Sequence, residues 1–331
     1  MIQFFTLSFL FSIHARFSSA CQIERNPVSN NHPGLTQQSC HTVLVVAITP
    51  RTKDRQVDLE GIRKNVQFLI QNGVTFIMPQ CGTGLVYDST LAEFESVVGA
   101  FMEAAEGRAL IVPGIGPGFG RSLEMGGIAK SLHAAGVMIM PIVGPASDRG
   151  TYTGLRHISE SVGLPIVLYQ RRLDITPVDS IVKLCAMDEV VGLKYAVDDV
   201  DAFDQIQDQA GKHAAMVCGM AEDPCIEYMS HGAVGFSSGM ANFVPKMSLR
   251  LHHQFFLGNK KEAQRLRDLM VPFEDFRGED RGRYSGSALH GAMNYAKLAG
   301  GPVIPFVEDV AEKDLPRLHQ MMDILLDEER R

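Results

Sequence analysis

The sequence predicts an α/β chain folded as a (β/α)8 TIM barrel with a C-terminal helical appendage. Three observations carry that expectation. Eight short apolar, β-branched runs recur along the chain, at 43–48, 74–78, 109–112, 137–140, 165–168, 190–193, 214–217 and 233–236. Longer amphipathic stretches separate them, among them 59–71, 92–106, 122–135 and 177–185, and several end on Gly or Asn (Asn72-Gly73, Gly107, Gly136), as left-handed caps require. The chain of 331 residues, 45% of them hydrophobic, is long enough to bury one large core. Strands alternating with helices of this length make a parallel sheet, and eight even units close most simply into a barrel.

The elements can be justified in order. Residues 1–20 contain an apolar run at 4–13 and a small-residue end, Ser18-Ser19-Ala20-Cys21, similar to a weak secretory or lipoprotein signal. Its first positive charge, Arg16, follows the apolar run instead of preceding it, and the run is too short to span a bilayer. Residues 22–41 are polar and without periodicity, so 1–41 reads as a disordered leader or a misassigned start, outside the fold. The barrel is expected over 42–257. Helical patterns at 243–257, 260–270, 287–298 and 314–326 follow the eighth strand; one closes the barrel, and the rest form a C-terminal helical domain over 258–331, interrupted at Gly300-Gly301-Pro302.

Composition excludes several function classes. A net charge of −7 and a pI near 5.9, with Lys and Arg scattered, leave no basic footprint for nucleic acid, and no membrane span is expected. Six cysteines (Cys21, Cys40, Cys81, Cys185, Cys218, Cys225) show no CxxC pairing, which fits reduced thiols in a cytoplasmic protein. The histidines have no metal-ligand spacing and are expected to be structural. The glycine-rich segment Gly114-Ile115-Gly116-Pro117-Gly118-Phe119-Gly120 is not read as a dinucleotide site, because Pro117 interrupts the helix entry and no acid for a ribose follows the next strand. A small-molecule partner remains.

Barrel enzymes carry their chemistry at the C-terminal ends of strands. The sixth run, Val190-Val191-Gly192-Leu193-Lys194, ends on a lysine whose stem lies among apolar neighbours. A surface lysine is protonated near neutral pH and cannot attack a carbonyl, whereas a desolvated one forms a Schiff base with a ketone or aldehyde. The fifth run leads into Tyr169-Gln170-Arg171-Arg172, and neighbouring strands would bring Tyr169 close enough to Lys194 to shuttle protons. Arg171 or Arg172 suits a distal carboxylate or hydroxyl. After the second run, Gly82-Thr83-Gly84 offers a hydroxyl and free amides for a carboxylate, and after the eighth, Ser237-Ser238-Gly239 lets a ligand approach the backbone. Each signal alone has an ordinary reading: a solvated strand-end lysine, a surface arginine pair, a core tyrosine with a wet tip.

Taken together, these residues match a known pattern. The chain from about 43 to 326 resembles the dihydrodipicolinate synthase / N-acetylneuraminate lyase family of class I, Schiff-base-forming keto-acid aldolases and dehydratases. The match runs through Ala47-Ile48-Thr49-Pro50, Gly82-Thr83-Gly84, Leu168-Tyr169, Val191-Gly192-Leu193-Lys194, Gly219 with Glu222, and Gly232-Ala233-Val234-Gly235-Phe236-Ser237-Ser238 to Asn242 and Pro245. The resemblance implies a barrel with C-terminal helices, assembled as a homo-oligomer (dimer or tetramer). It implies Lys194 as the nucleophile, Tyr169 as general acid/base, Thr83 on the keto-acid carboxylate and Ser237 beside the bound keto acid. No cofactor or metal is called for, since the protonated imine serves as the electron sink.

The departures narrow the activity. The synthase pattern Gly-Thr-Thr-Gly-Glu reads Cys81-Gly82-Thr83-Gly84-Leu85 here, its strand-four tyrosine is Val143, and its aldehyde-binding arginine falls near Asp174. Dihydrodipicolinate synthesis itself is thereby placed in question. Gly-Thr-Gly and an arginine two residues after the tyrosine resemble the 5-dehydro-4-deoxyglucarate dehydratase branch, although Leu85 and the stretch after Lys194 match neither branch. The leading expectation is a lyase on a pyruvate-type 2-keto acid, with a sugar-acid dehydratase as the alternative. From other classes, a non-catalytic keto-acid-binding barrel and a metal-dependent aldolase are the rivals; the latter lacks a His/Asp/Glu cluster at the strand ends.

Overall fold

A computed structural model describes residues 34–331, so the first 33 residues of the expected leader at 1–41 lie outside the described residues. The strands are β1 (Val43–Val46), β2 (Phe76–Met78), β3 (Leu110–Ile111), β4 (Gly114–Ile115), β5 (Val137–Ile139), β6 (Ile166–Gln170), β7 (Val190–Tyr195), β8 (Ala215–Cys218) and β9 (Gly235–Ser238). All pair in parallel, in the order β3-β2-β1-β9-β8-β7-β6-β5-β4. The third expected run, 109–112, holds only β3, and Pro113, which cannot donate to the ladder, separates it from a further short strand, β4. The two strands nonetheless close the ring. Val112 N donates to Ile77 O at 3.0 Å on one side, and the Pro113 carbonyl accepts from Met138 N at 2.9 Å on the other.

Around the strands lie α1 (Leu59–Gln71), α2 (Leu91–Ala105), α3 (Phe119–Ser131), α4 (Asp148–Val162), α5 (Val178–Cys185), α6 (Val200–Ala210), α7 (Cys225–Ser230) and α8 (Pro245–Phe256), followed by α9 (Lys260–Gly282), α10 (Ser287–Tyr295) and α11 (Leu315–Glu329). Local chemistry sets the starts. Asp58 accepts from Gly61 N at 2.8 Å to cap α1, and Thr90 with Glu93 forms a capping box on α2. The histidine His290 is buried in the packing, with Nδ1 donating to Gly300 O at 3.0 Å, and burial pushes its pKa down to about 4.

Two differences from the sequence reading matter. The helix expected at 260–270 continues as α9 through Pro272 to Gly282, with non-helical backbone at Glu279, Asp280 and Arg281. Phe273 and Phe276 are buried, and Phe273 packs on Phe243 with ring centroids 5.2 Å apart, so tertiary packing outweighs the local cost of the proline. Residues 34–41, placed with the leader, belong to the fold. Leu35 and Cys40 are buried at the N-terminal end of the barrel, and Leu35 N donates to Ala135 O at 3.1 Å. Two isolated apolar residues in a polar stretch show no periodicity to read.

This segment leaves no room above it. A Cβ on Gly235 would lie 2.1 Å from Thr42 O and 2.7 Å from Cys40 O. Backbone on backbone cannot yield as a side chain does, so Gly235→Ala is expected to lower stability by about 1–3 kcal/mol. A fall in the urea midpoint with unchanged m-value would measure it.

Candidate functional site

Strand alternation places the central pair. Tyr195 is fully buried outside the strands, where it packs on Phe203 of α6 and Tyr228 of α7 at centroid distances of 5.3 and 6.0 Å. Its neighbour Lys194 therefore points to the barrel interior. In the adjacent strand Tyr169 is the register partner of Lys194 and faces the same way. The sequence reading ended the fifth run at Leu168 and the sixth on Lys194; β6 and β7 run on to Gln170 and Tyr195.

Lys194 is 4% exposed, and its Nζ donates to Gly219 O at 2.9 Å and lies 3.7 Å from the centroid of the Tyr169 ring. That contact is a cation–π interaction in a desolvated place. Arg171 Nη1 donates to Tyr169 Oη at 3.3 Å. Burial pushes the Tyr169 phenol up, but the Lys194 ammonium and then the Arg171 guanidinium outweigh it and hold the phenol below its ordinary value. A phenol so placed releases a proton more readily and can return it to a nearby atom.

These groups open into a cavity of about 490 Å³ lined by Gly82, Thr83, Tyr169, Arg171, Lys194 and Ser237, all of them expected from the sequence. Two expected residues stand elsewhere. Arg172 turns away and pairs with Asp174, with Nε donating to Oδ1 at 3.0 Å. Gly84 supports the loop from behind, its carbonyl accepting from Thr49 Oγ1 at 3.0 Å. Of the two arginines, only Arg171 lines this cavity.

The cavity also has walls that sequence reasoning missed. Tyr87 and Asp88 come from the short turn after Leu85, and Glu274 and Arg277 come from α9. Arg277 Nη1 donates to Glu274 at 2.7 Å, and both side chains are only 13% exposed. The sole sequence signal for them was their one-turn spacing, Glu at i and Arg at i+3, which is common on any helix surface. Beneath the floor, Glu222 is fully buried and accepts from Ser248 Oγ at 3.0 Å and from Ser238 Oγ. A buried amine beside a phenol, with a second cation further out, is arranged for covalent capture of an anionic carbonyl compound.

Comparisons with known proteins bear on this geometry. A family model described as the dihydrodipicolinate synthetase family matches residues 39–323. The chain is 28% identical over 289 residues to a "Probable 5-dehydro-4-deoxyglucarate dehydratase 2" of Streptomyces avermitilis, covering 86% of this chain and 87% of that protein. A "Probable 5-dehydro-4-deoxyglucarate dehydratase" of Bacillus subtilis is 26% identical over 276 residues, covering 81% and 89%. Among solved structures, dihydrodipicolinate synthase from Oceanobacillus iheyensis matches with a TM-score of 0.83 at 30% identity, over 89% of this chain and 98% of that one. A catalytic lysine mutant of Ruminococcus gnavus sialic acid aldolase shares the fold, with a TM-score of 0.82 at 15% identity over 88% and 98% of the two chains.

The charges around Tyr169 generate a direct test. Removing the guanidinium by Arg171→Met takes away one of the two cations that hold the phenol down, so the Tyr169 pKa is expected to rise. Ultraviolet phenolate titration, taken as a difference against the same protein carrying Tyr169→Phe, would show the shift; an unmoved titration would exclude the coupling.

Proposed function

The chain belongs to the dihydrodipicolinate synthetase family, and from that membership we propose a lyase that joins Lys194 to the carbonyl of a 2-keto acid as a Schiff base. The observation that carries the reading is the buried Lys194 amine, 2.9 Å from Gly219 O and over the Tyr169 ring, at the floor of an open cavity. The free amine attacks the carbonyl carbon, and the carbonyl oxygen takes up a proton to give a carbinolamine. Loss of that oxygen as water leaves a protonated imine, which withdraws electrons from the adjacent carbon. Tyr169 stands where it can supply and recover these protons. The Thr83 hydroxyl and the amides beside Gly82 suit the carboxylate next to the carbonyl. Arg171 suits a second carboxylate or a hydroxyl further along the substrate.

Two outcomes of the imine are open to such a site. In an aldolase, the carbon next to the imine gives up or accepts an aldehyde. In a dehydratase, it loses a proton and the following carbon loses hydroxide, so that water departs. Gly82 in place of the synthase threonine, Arg171 at the cavity and the names of the curated relatives favour the second, a sugar-acid dehydratase, over dihydrodipicolinate synthesis. The reading extends to a cytoplasmic homo-oligomer acting on a small molecule. Among the described residues, five reduced cysteines, all buried, support a reducing compartment.

Lys194→Ala is expected to abolish turnover while the circular dichroism and melting profile stay those of the wild type. Borohydride treatment with pyruvate, and separately with a 4-deoxy-5-keto sugar acid, should leave a reduced adduct on the peptide containing Lys194. The ligand trapped more efficiently distinguishes aldolase from dehydratase. Turnover that survives Lys194→Ala, or folded protein that yields no adduct with either ligand, overturns the assignment.

A further inference from the structure

The Lys194 amine is held by the backbone carbonyl of Gly219, and that carbonyl sits on a loop with an unusual shape. Gly219 follows β8 so closely on its neighbour strand that a Cβ there would lie 2.7 Å from Tyr195 O. Two residues on, Ala221 adopts a left-handed backbone with φ of +62°, which an alanine does not choose unaided. The next residue, Glu222, ends the strained turn and enters the packing, where no part of it meets solvent. Its Oε1 accepts from Ser238 Oγ, at the end of β9, and from Ser248 Oγ of α8 at 3.0 Å. Ser238 Oγ in turn accepts from Ala241 N at 2.8 Å. One carboxyl thus ties the β8 loop, β9 and α8 together three residues from the carbonyl that meets the nucleophile.

We propose that Glu222 is a positioning residue for the Schiff-base lysine: anchored to Ser238 and Ser248, it holds the strained turn that aims the Gly219 carbonyl at Lys194. The proposal rests on the Schiff-base reading of Lys194. It acts through the loop, since Glu222 itself does not line the cavity. The neutral acid is the form that suits this place. Its Oε2 is buried with no hydrogen-bond partner, which a full negative charge would not tolerate. Burial first, and then the Glu274 carboxylate of α9, push Glu222 up to about 8, against the pull of the two serine hydroxyls and Arg277. Cys218 of β8 and Cys225 of α7 also face it and stay as thiols, while Asp223 is engaged by Arg267 at 2.7 Å. Folded-state Glu222 is therefore neutral below pH about 8; above it the carboxylate bonds the two serines more strongly, but its unpartnered Oε2 becomes a buried charge facing the Glu274 carboxylate, and that cost drives the turn out of its packing.

The test is the rate of cyanoborohydride trapping of pyruvate on Lys194 from about pH 7 to about pH 9, for the wild type and for Glu222→Gln. Glutamine keeps an acceptor oxygen for both serines and cannot ionise. Near pH 7 the variant is expected to trap within about threefold of the wild type, because the anchor is intact in both. The ratio of variant to wild type should then rise about tenfold by pH 9, as the wild-type carboxyl ionises. Parallel profiles overturn the proposal, and so does a folded Glu222→Gln that fails to trap at pH 7. Should glutamine not be accommodated, Ser248→Ala serves instead. It removes a hydroxyl that favours the carboxylate, so the alkaline fall must move to higher pH, and an unmoved fall again overturns the proposal. A wild type that traps no pyruvate on Lys194 at any pH overturns the Schiff-base reading itself, which separates the two failures.

Discussion

The register between β6 and β7 is the constraint on which the site depends. Tyr169 and Lys194 are paired directly across these strands, and alternation sends both inward because Tyr195 is claimed by the aromatic layer of α6 and α7. A slip of one residue would reverse every side chain of the strand, burying an ammonium among Phe203 and Tyr228 and turning a tyrosine into the barrel. The apolar exterior therefore fixes the polar interior. Once inside, the ammonium is held by a carbonyl and an aromatic face instead of a carboxylate.

The rim around this pair is made rigid by buried amides. Asn242 accepts from Ile48 N at 3.2 Å and donates to Val46 O at 2.8 Å and Gly239 O at 2.7 Å, joining β1 to the end of β9. Gln80 does the same for the second strand, donating to Thr49 Oγ1 at 3.2 Å and accepting from Ser89 Oγ at 2.8 Å. Such fully partnered networks hold strand ends that would otherwise fray where the ladder stops. Rigid strand ends are what allow loops of irregular shape to present side chains at fixed distances.

Much of this was legible in the sequence, and the exceptions share a cause. The alternation of runs and amphipathic stretches specified the barrel, and lysine and tyrosine at the ends of neighbouring runs marked the centre of the site. Three things were hidden: which arginine faces the cavity, where α9 ends, and that residues 34–41 belong to the fold. Arg171 and Arg172 differ only in which of them Asp174 captures, a contact settled by loop geometry. Pro272 carries a strong local signal to stop, and it is overruled by Phe273 and Phe276, whose burial depends on partners far away in the chain. Glu274 and Arg277 were missed for the same reason, because they reach the cavity only if the helix continues. Residues 34–41 lacked any pattern, their two buried side chains being too few to make one.

The continuation of α9 has a consequence for how such a molecule can change over time. Lys194 and Tyr169 belong to strands of the barrel, whereas Glu274 and Arg277 stand on a helix that lies outside it. Exchanges along that one helical face would reshape the mouth without disturbing the strand register that orients the amine. Inheritance can therefore tinker with what is admitted and leave untouched what is done to it, because the two tasks are written on separate pieces of chain.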